Sequence, residues 1–146
     1  MSAAGRVASP AYLADYGALE TLDDLRDHPV VRYEGESTQS WTLAAPNGDW
    51  VTLQQPVRLT ANNGHFLVDM ACAGLGMAVM PEFLARQALL EGTLVRVLPD
   101  YRLPELALYA VYPQNRYLSG KARALIDFLV EWFSQADVQA AMRVEP

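Results

Sequence analysis

The sequence has little of what catalytic, metal-binding and disulfide-bonded proteins need. It contains one cysteine, Cys72, and two histidines, His28 and His65. One cysteine cannot form an intrachain disulfide, which favours a reducing compartment. A Cys–His nucleophile pair is possible in principle, but a free cysteine in an apolar helix is usually a small core residue. The three residues also lack the close spacing of metal ligands. We therefore expect a protein that is not an enzyme and uses no metal or cofactor.

Clusters of basic residues and long apolar runs are missing as well. The formal net charge is −6 and the arginines are scattered, so the chain itself is not expected to bind a nucleic-acid backbone. No apolar stretch is long enough to span a bilayer. The start, "MSAAGRVASP", lacks the positive region and apolar core of a signal peptide. These absences predict a cytoplasmic protein without a membrane partner.

An alternation of strand and helix patterns runs along the chain. Its 146 residues, 51% of them hydrophobic, are enough for one domain with a real core. The pattern predicts an α/β fold with a mixed sheet. We expect helices over 11–16 and 22–27, from Gly64 to Gly74, from Pro81 to Gly92 and after Ser119. We expect strands over 6–8, 30–33, 56–60, 77–80, 93–98 and 106–112, with a hairpin over 41–53 around Asn47-Gly48.

The segment "GLGMAVMPEFL", 74–84, organises the middle of the chain. It resembles the opening of a dinucleotide-binding fingerprint, but it lacks the third glycine and precedes a strand instead of following one. Its glycines are instead expected to end one helix. The short apolar run predicts a strand buried on both faces, and Pro81 is expected to start the next helix.

The last helix carries an apolar stripe without an obvious partner. Its members recur at helical spacing and should pack against a core; they are Ala122, Leu125, Ile126, Leu129, Trp132 and Phe133. The chain also begins at what resembles a late strand, with nothing before it to pair with. The sequence therefore reads as a fold whose first part is missing.

A candidate binding site lies where "TANNGHF", 60–66, leads from a strand into a helix. Asn62, Asn63 and Gly64 lie where free backbone N–H groups can bind an anion or carboxylate. The asparagines can equally be helix caps only, and one residue can do both. Ser9, at the start of another short helix, has the same two interpretations. A solvated loop is favoured over a pocket wall for residues 37–40.

Three segments together resemble the effector-binding domain of LysR-type transcriptional regulators. "RVASPAYLADYGALETLDDLRDHPVVRY" is similar to the crossover into the second lobe of that domain. "GDWVTLQQPVRLTANNGHFLVDMACAGLGMAVMPEFLARQALLEGTLVRVLPDY" is similar to the rest of the lobe. "LALYAVYPQNRYLSGKARALIDFLVEWF" resembles the return strand and last helix. The resemblance covers nearly the whole chain and depends on the order and spacing of the segments.

The resemblance implies a fold like that of type 2 periplasmic binding proteins, with an effector bound between two lobes. Residues 1–10 would be the crossover strand from the first lobe, 11–106 a complete second lobe, and 107–146 the return strand and helix of a partial first lobe. The N-terminal winged helix-turn-helix, which binds DNA in this family, would be absent from this sequence. A periplasmic-type solute-binding protein is the alternative.

The resemblance also implies a site and partners. The effector-binding residues would be Ser9, Asn62, Asn63, Gly64, Met80 and Pro81. The effector is a small molecule, with carboxylates as candidates, and the hinge would run through Ala8-Ser9 and Glu105-Leu106. The open first lobe should expose apolar residues around 106–112 and on the last helix, which predicts self-association.

Overall fold

The computed structural model describes residues 4–17, 19–34, 40–104, 109, 111, 119–135 and 138. The strands are β1 (Ala4–Ala8), β2 (Val30–Tyr33), β3 (Ser40–Ala44), β4 (Trp50–Gln54), β5 (Val57–Ala61), β6 (Met77–Pro81) and β7 (Val95–Arg96). The α-helices are α1 (Pro10–Tyr16), α2 (Gly64–Cys72), α3 (Glu82–Glu91) and α4 (Gly120–Ser134), and Asp24–Asp27 form a 3-10 helix. The predicted α/β class is confirmed.

A five-stranded mixed sheet with the order β5-β2-β6-β1-β7 forms the centre of the fold. Strands β5, β2 and β6 are parallel to one another, whereas β1 is antiparallel to both β6 and β7. Strands β3 and β4 form the predicted hairpin as a separate sheet. Strand β1 is an inner strand of this sheet, between β6 and β7.

Buried side chains cover both faces of the sheet. One cluster lies against α2 and α3 and includes Val31, Leu67 and Ala78. The other lies against α1 and the hairpin and includes Tyr12, Val30 and Met77. Residues 77–80 are all buried, as predicted for a strand covered on both faces. The alternation of Val30 with Val31 and of Met77 with Ala78 between the clusters follows the two-residue period of a strand.

Three predicted elements differ from the observed ones. Pro81 ends β6 and is the N-cap of α3, so the helix begins one residue later than expected. Instead of the expected helix over 22–27, Asp24–Asp27 form a 3-10 helix, which follows reciprocal hydrogen bonds between Thr21 and Asp24. Strand β7 has only two residues, because Leu98 turns into the left-handed region at φ 47 and Pro99 has no N–H to donate.

Helix α4 begins after Ser119, whose hydroxyl accepts a hydrogen bond from the Ala122 N–H at 3.3 Å. None of its residues is buried, and Leu125 and Trp132 are 57% and 46% exposed. Packing of the apolar stripe against a core is therefore not observed among the described residues. Apart from Tyr109 and Val111, which are exposed, the predicted strand 106–112 lies outside them. Across the described part of the chain, no helix is both long and apolar enough to cross a membrane.

Candidate functional site

The ends of three parallel strands meet at one edge of the sheet. Tyr33, the last residue of β2, pairs with Ala61, the last residue of β5. Residues 62–64 follow β5 directly, and β6, on the other side of β2, ends at Pro81. In open α/β sheets, ligands bind in the crevice outside the carboxyl ends of the strands. Five of the six predicted site residues thus belong to this edge, which we call the carboxyl edge.

The first turn of α2 forms one side of the carboxyl edge. Asn63 is the N-cap, and its side-chain oxygen accepts a hydrogen bond from the Phe66 N–H at 3.2 Å. Asn62 and Asn63 are both exposed. The capping interpretation is therefore confirmed for Asn63. Capping satisfies one N–H, whereas the first four N–H groups of a helix lack an intrahelical acceptor, so capping and ligand binding are compatible here.

Gly64 lies in a close contact that the sequence did not reveal. A Cβ atom at this position would overlap the Tyr33 hydroxyl and would lie 2.6 Å from Leu84 Cδ1. The Tyr33 hydroxyl is therefore in direct contact with the first residue of α2. Tyr33 is half-buried and packs on the core cluster next to α2 and α3. It is an additional residue of the carboxyl edge, and its position at a strand end was the only signal for it.

The end of β6 forms the other side. Met80 is only 2% exposed as a whole residue, its side chain belongs to the core, and its backbone is paired with Gly5 in the sheet. Pro81 is half-buried. Glu82 follows in the first turn of α3, and its carboxylate forms an ion pair with Arg96 at 3.0 Å. Glu82 therefore supplies the negative charge that the helix dipole favours at the start of α3.

Ser9 lies at the opposite end of the sheet. Because β1 is antiparallel to β6, Ala4 pairs with Pro81 and Val7 with Ala78, which leaves Ser9 roughly 15 Å from Pro81 at the usual rise per strand residue. Its side chain is 2% exposed and caps α1 by accepting a hydrogen bond from the Tyr12 N–H at 3.2 Å. Ser9 is thus not brought together with the other five residues, and only its capping role is observed.

Polar groups near Ser9 are satisfied within the fold. The Tyr12 hydroxyl and His28 Nδ1 lie 2.9 Å apart in a buried hydrogen bond. Gln55 donates from Nε2 to the carbonyl oxygens of Leu25 and His28 at 2.7 and 3.2 Å.

Cys72, at the other end of α2 from Asn63, contacts Thr93 Oγ1 at 3.9 Å. Within the residues described, no group of three or more His, Cys, Asp or Glu side chains is arranged to hold a metal ion.

The Tyr12–His28 bond predicts a specific pH dependence. The pKa of Tyr12 is raised to about 12, chiefly by burial and also by the nearby Tyr16, against a smaller opposing effect of Arg58. Since the phenol ionises more readily in the unfolded chain, the stability it contributes is complete below about pH 10 and is lost as the pH rises toward about 12. Tyr12→Phe should be less stable by about 1 kcal/mol at neutral pH because the hydrogen bond is removed.

Urea unfolding followed by circular dichroism checks this prediction. The stability difference between the wild-type protein and Tyr12→Phe should shrink as the pH rises above about 10. Arg6 and the other titrating groups are common to both proteins, so their effects cancel in the difference. A difference that stays constant up to about pH 11 contradicts the assigned environment of Tyr12.

The comparison with protein families identifies the fold. Residues 5–134 match the LysR substrate binding domain. The chain belongs to this family. Among curated relatives of this LysR-type domain, an HTH-type transcriptional regulator of Escherichia coli, YhjC, is 36% identical over 84% of the chain and 42% of its own length. The regulator PtxR of Pseudomonas aeruginosa is 36% identical over 86% of the chain and 40% of its own length.

Solved structures agree with this assignment. The full-length virulence activator AphB of Vibrio cholerae, a LysR-type regulator, superposes with a TM-score of 0.72 at 26% identity, over 90% of this chain and 45% of AphB. The regulatory domain of CrgA from Neisseria meningitidis gives 0.65 at 26% identity, over 89% and 64%. The fold is thus that of a LysR-type regulatory domain, which is similar to type 2 periplasmic binding proteins. The LysR-type chain spans about two fifths of the length of these two curated relatives.

The relatives are named as transcriptional regulators and not as enzymes. This agrees with the predicted LysR family and with a role in transcription regulation. It also favours a regulator over the alternative of a periplasmic-type solute-binding protein.

Proposed function

We propose that this chain is the part of a LysR-type regulator that senses a small-molecule effector at the carboxyl edge. The proposal depends on the observation that the exposed N-cap of α2 and the end of β6 lie at the same edge of the sheet, on either side of β2. Because N–H groups and the positive end of the dipole lie at a helix start, we propose a carboxylate as the effector class. Asn62, Asn63, Gly64 and Pro81 would contact it, and Met80 would lie behind them in the core.

The proposed mechanism is closure of two lobes around the effector. A ligand that binds the closed form better shifts the population toward it. The expected hinge at Ala8-Ser9 is disfavoured because both residues are buried and Ala8 pairs with Val95 in the sheet. We therefore propose that the chain crosses between lobes before β1 and again near Glu105-Leu106, with residues 107–146 belonging to the first lobe.

The proposed partners follow from the family. In the full-length protein, DNA would be bound by an N-terminal winged helix-turn-helix and not by this acidic chain. Self-association is proposed through the exposed apolar side chains of α4, which include Phe128 and Val130.

Substitution of Asn63 separates effector binding from folding. Asp caps a helix as well as Asn does and is favoured by the dipole, so Asn63→Asp should keep or slightly raise the melting temperature. Its new negative charge should repel a carboxylate and reduce binding by about tenfold or more. The measurement is a thermal-shift screen of benzoate, salicylate, acetate and succinate against the full-length protein, followed by titration of each variant with the best binder.

Asn47→Asp is the matched control. Asn47 is exposed in the β3–β4 turn, so the same change of charge there should leave carboxylate binding within about twofold. If none of the four carboxylates raises the melting temperature of the full-length protein, the proposed carboxylate class is wrong. If Asn63→Asp binds as tightly as the control, the location is wrong.

A further inference from the structure

A buried arginine in β1 holds the segment that follows β7. Arg6 is only 5% exposed. Its Nε donates to the Val97 carbonyl oxygen at 3.3 Å, and its Nη2 donates to those of Leu98 and Tyr101 at 2.7 and 2.6 Å. The Arg6 carbonyl oxygen accepts a hydrogen bond from the Val97 N–H at 2.9 Å. One residue of β1 therefore makes four hydrogen bonds to the segment 97–101.

The segment that Arg6 holds contains a strained residue. Leu98 has φ 47, in the left-handed region that a leucine rarely adopts. Its carbonyl oxygen also accepts a hydrogen bond from the Tyr101 N–H at 3.1 Å, which closes a turn. A strained backbone persists only where the surrounding structure holds it. The Arg6 side chain provides such bonds on both sides of Leu98, to Val97 before it and to Tyr101 after it.

Beyond the turn, the segment is fixed a second time. The Arg102 N–H donates to the Ala44 carbonyl oxygen at 2.9 Å, and the Ala44 N–H donates to the Arg102 carbonyl oxygen at 2.8 Å. Leu103 packs on the buried cluster next to α1 and the hairpin. The segment is thus attached to β1 through Arg6 and to β3 through Arg102 before it leads to the second proposed crossing, near Glu105-Leu106.

An arginine is suited to holding several carbonyl groups at once. Burial of a charge costs free energy that an apolar side chain would not lose. In return, the planar guanidinium offers donors in fixed directions, whereas a lysine ammonium is a single point charge. Burial lowers the pKa of Arg6 to about 10, so the guanidinium keeps all its donors at neutral pH. The Arg6 side chain therefore determines where the three carbonyl groups lie.

We infer that Arg6 is a positioning residue for closure of the lobes, because it fixes both crossings to the second lobe as one unit. The inference rests on the proposed function, in which the chain crosses between lobes before β1 and again near Glu105-Leu106. Arg6 lies in the strand that follows the first crossing, and its side chain holds the segment that leads to the second. Closure would then bend the chain outside 4–102, and the closed arrangement would depend on the Arg6 hydrogen bonds.

Hydrogen exchange without ligand tests whether Arg6 holds the segment in the full-length protein. In the wild-type protein, the hydrogen-bonded Tyr101 and Arg102 amides should exchange about as slowly as those of β1. Exchange typical of a free loop there overturns the inference, and this measurement needs no variant. In Arg6→Lys the same amides should exchange about tenfold faster or more, whereas those of β2 should be unchanged. Equal acceleration at all these amides, or none, overturns the inference.

Effector binding separates the positioning role from a local structural one. The carboxylate with the largest thermal shift should bind Arg6→Lys at least about threefold more weakly than the wild-type protein, since a looser crossing lowers the closed fraction. Arg26→Lys is the control, because Arg26 is exposed and pairs with Asp23, and its affinity should be unchanged. Faster local exchange in Arg6→Lys with unchanged affinity overturns the positioning role alone. If no carboxylate binds the wild-type protein, the proposed effector class fails and the role in closure fails with it.

Discussion

Gly76→Ala should destabilise the fold by about 3 kcal/mol, the upper end of the usual cost of overpacking. A Cβ at this position would lie 2.6 Å from the Pro29 carbonyl oxygen. That oxygen also accepts a hydrogen bond from the Met77 N–H at 3.0 Å, so it holds the start of β6 against β2. The Pro29 carbonyl belongs to the backbone and cannot rotate away as a side chain can. Relief of the clash therefore requires separating β2 from β6.

The measurement is urea unfolding followed by circular dichroism. Gly120→Ala is the control, since a Cβ at Gly120 meets nothing within 4 Å and alanine favours a helix by about 0.5–1 kcal/mol over glycine. The control should be neutral or slightly more stable than the wild-type protein. A Gly76→Ala protein as stable as the control contradicts the close approach of Pro29 and Gly76.

Gly64→Ala should lower the free energy of unfolding by about 2 kcal/mol. Removing the Tyr33 hydroxyl should restore part of this loss. The new methyl group would overlap the Tyr33 hydroxyl and press on Leu84. In a Tyr33→Phe background the hydroxyl is gone and Leu84 can change rotamer. The cost of Gly64→Ala should then fall by about 1 kcal/mol, which a double-mutant cycle measures as coupling.

The cycle also tests how the carboxyl edge is built. Tyr33 ends β2 and Gly64 begins α2, so coupling between them requires the observed register of β2 against β5. Additive effects of the two substitutions, within about 0.3–0.5 kcal/mol, contradict the contact between the hydroxyl and the helix start.

Elements that depend on local chemistry were predictable from the sequence. The N-caps Ser9, Asn63 and Ser119 each accept the expected hydrogen bond from the N–H three residues later. Gly92 ends α3 in the left-handed conformation. The buried strand 77–80 was recognisable because four consecutive apolar residues fit a strand covered on both faces.

Features that depend on strand direction were not predictable. Ser9 was assigned to the same site as Pro81, but the antiparallel pairing of β1 with β6 puts it at the other end of the sheet. The contact of Tyr33 with Gly64 requires the register of two strands separated by more than twenty residues in sequence. In the sequence, Arg6 is one of several scattered basic residues, and its neighbours did not indicate that it would be buried.

The exposure of α4 shows what helical periodicity in a sequence does not predict. The helix was expected from the sequence, but its apolar stripe was expected to pack against a core, and Leu125 and Leu129 are 57% and 37% exposed. Periodicity identifies which face of a helix should be buried, and it does not identify what covers that face.

Binding at the carboxyl edge can be tested by hydrogen exchange of the full-length protein, with the carboxylate that gives the largest thermal shift as the probe. We expect slower exchange of backbone amides over 63–67 and 79–83, because the ligand would bind at the carboxyl edge. Amides over 9–13, at the opposite end of the sheet, should be unchanged. Protection centred on 9–13, with none at the carboxyl edge, would contradict the account.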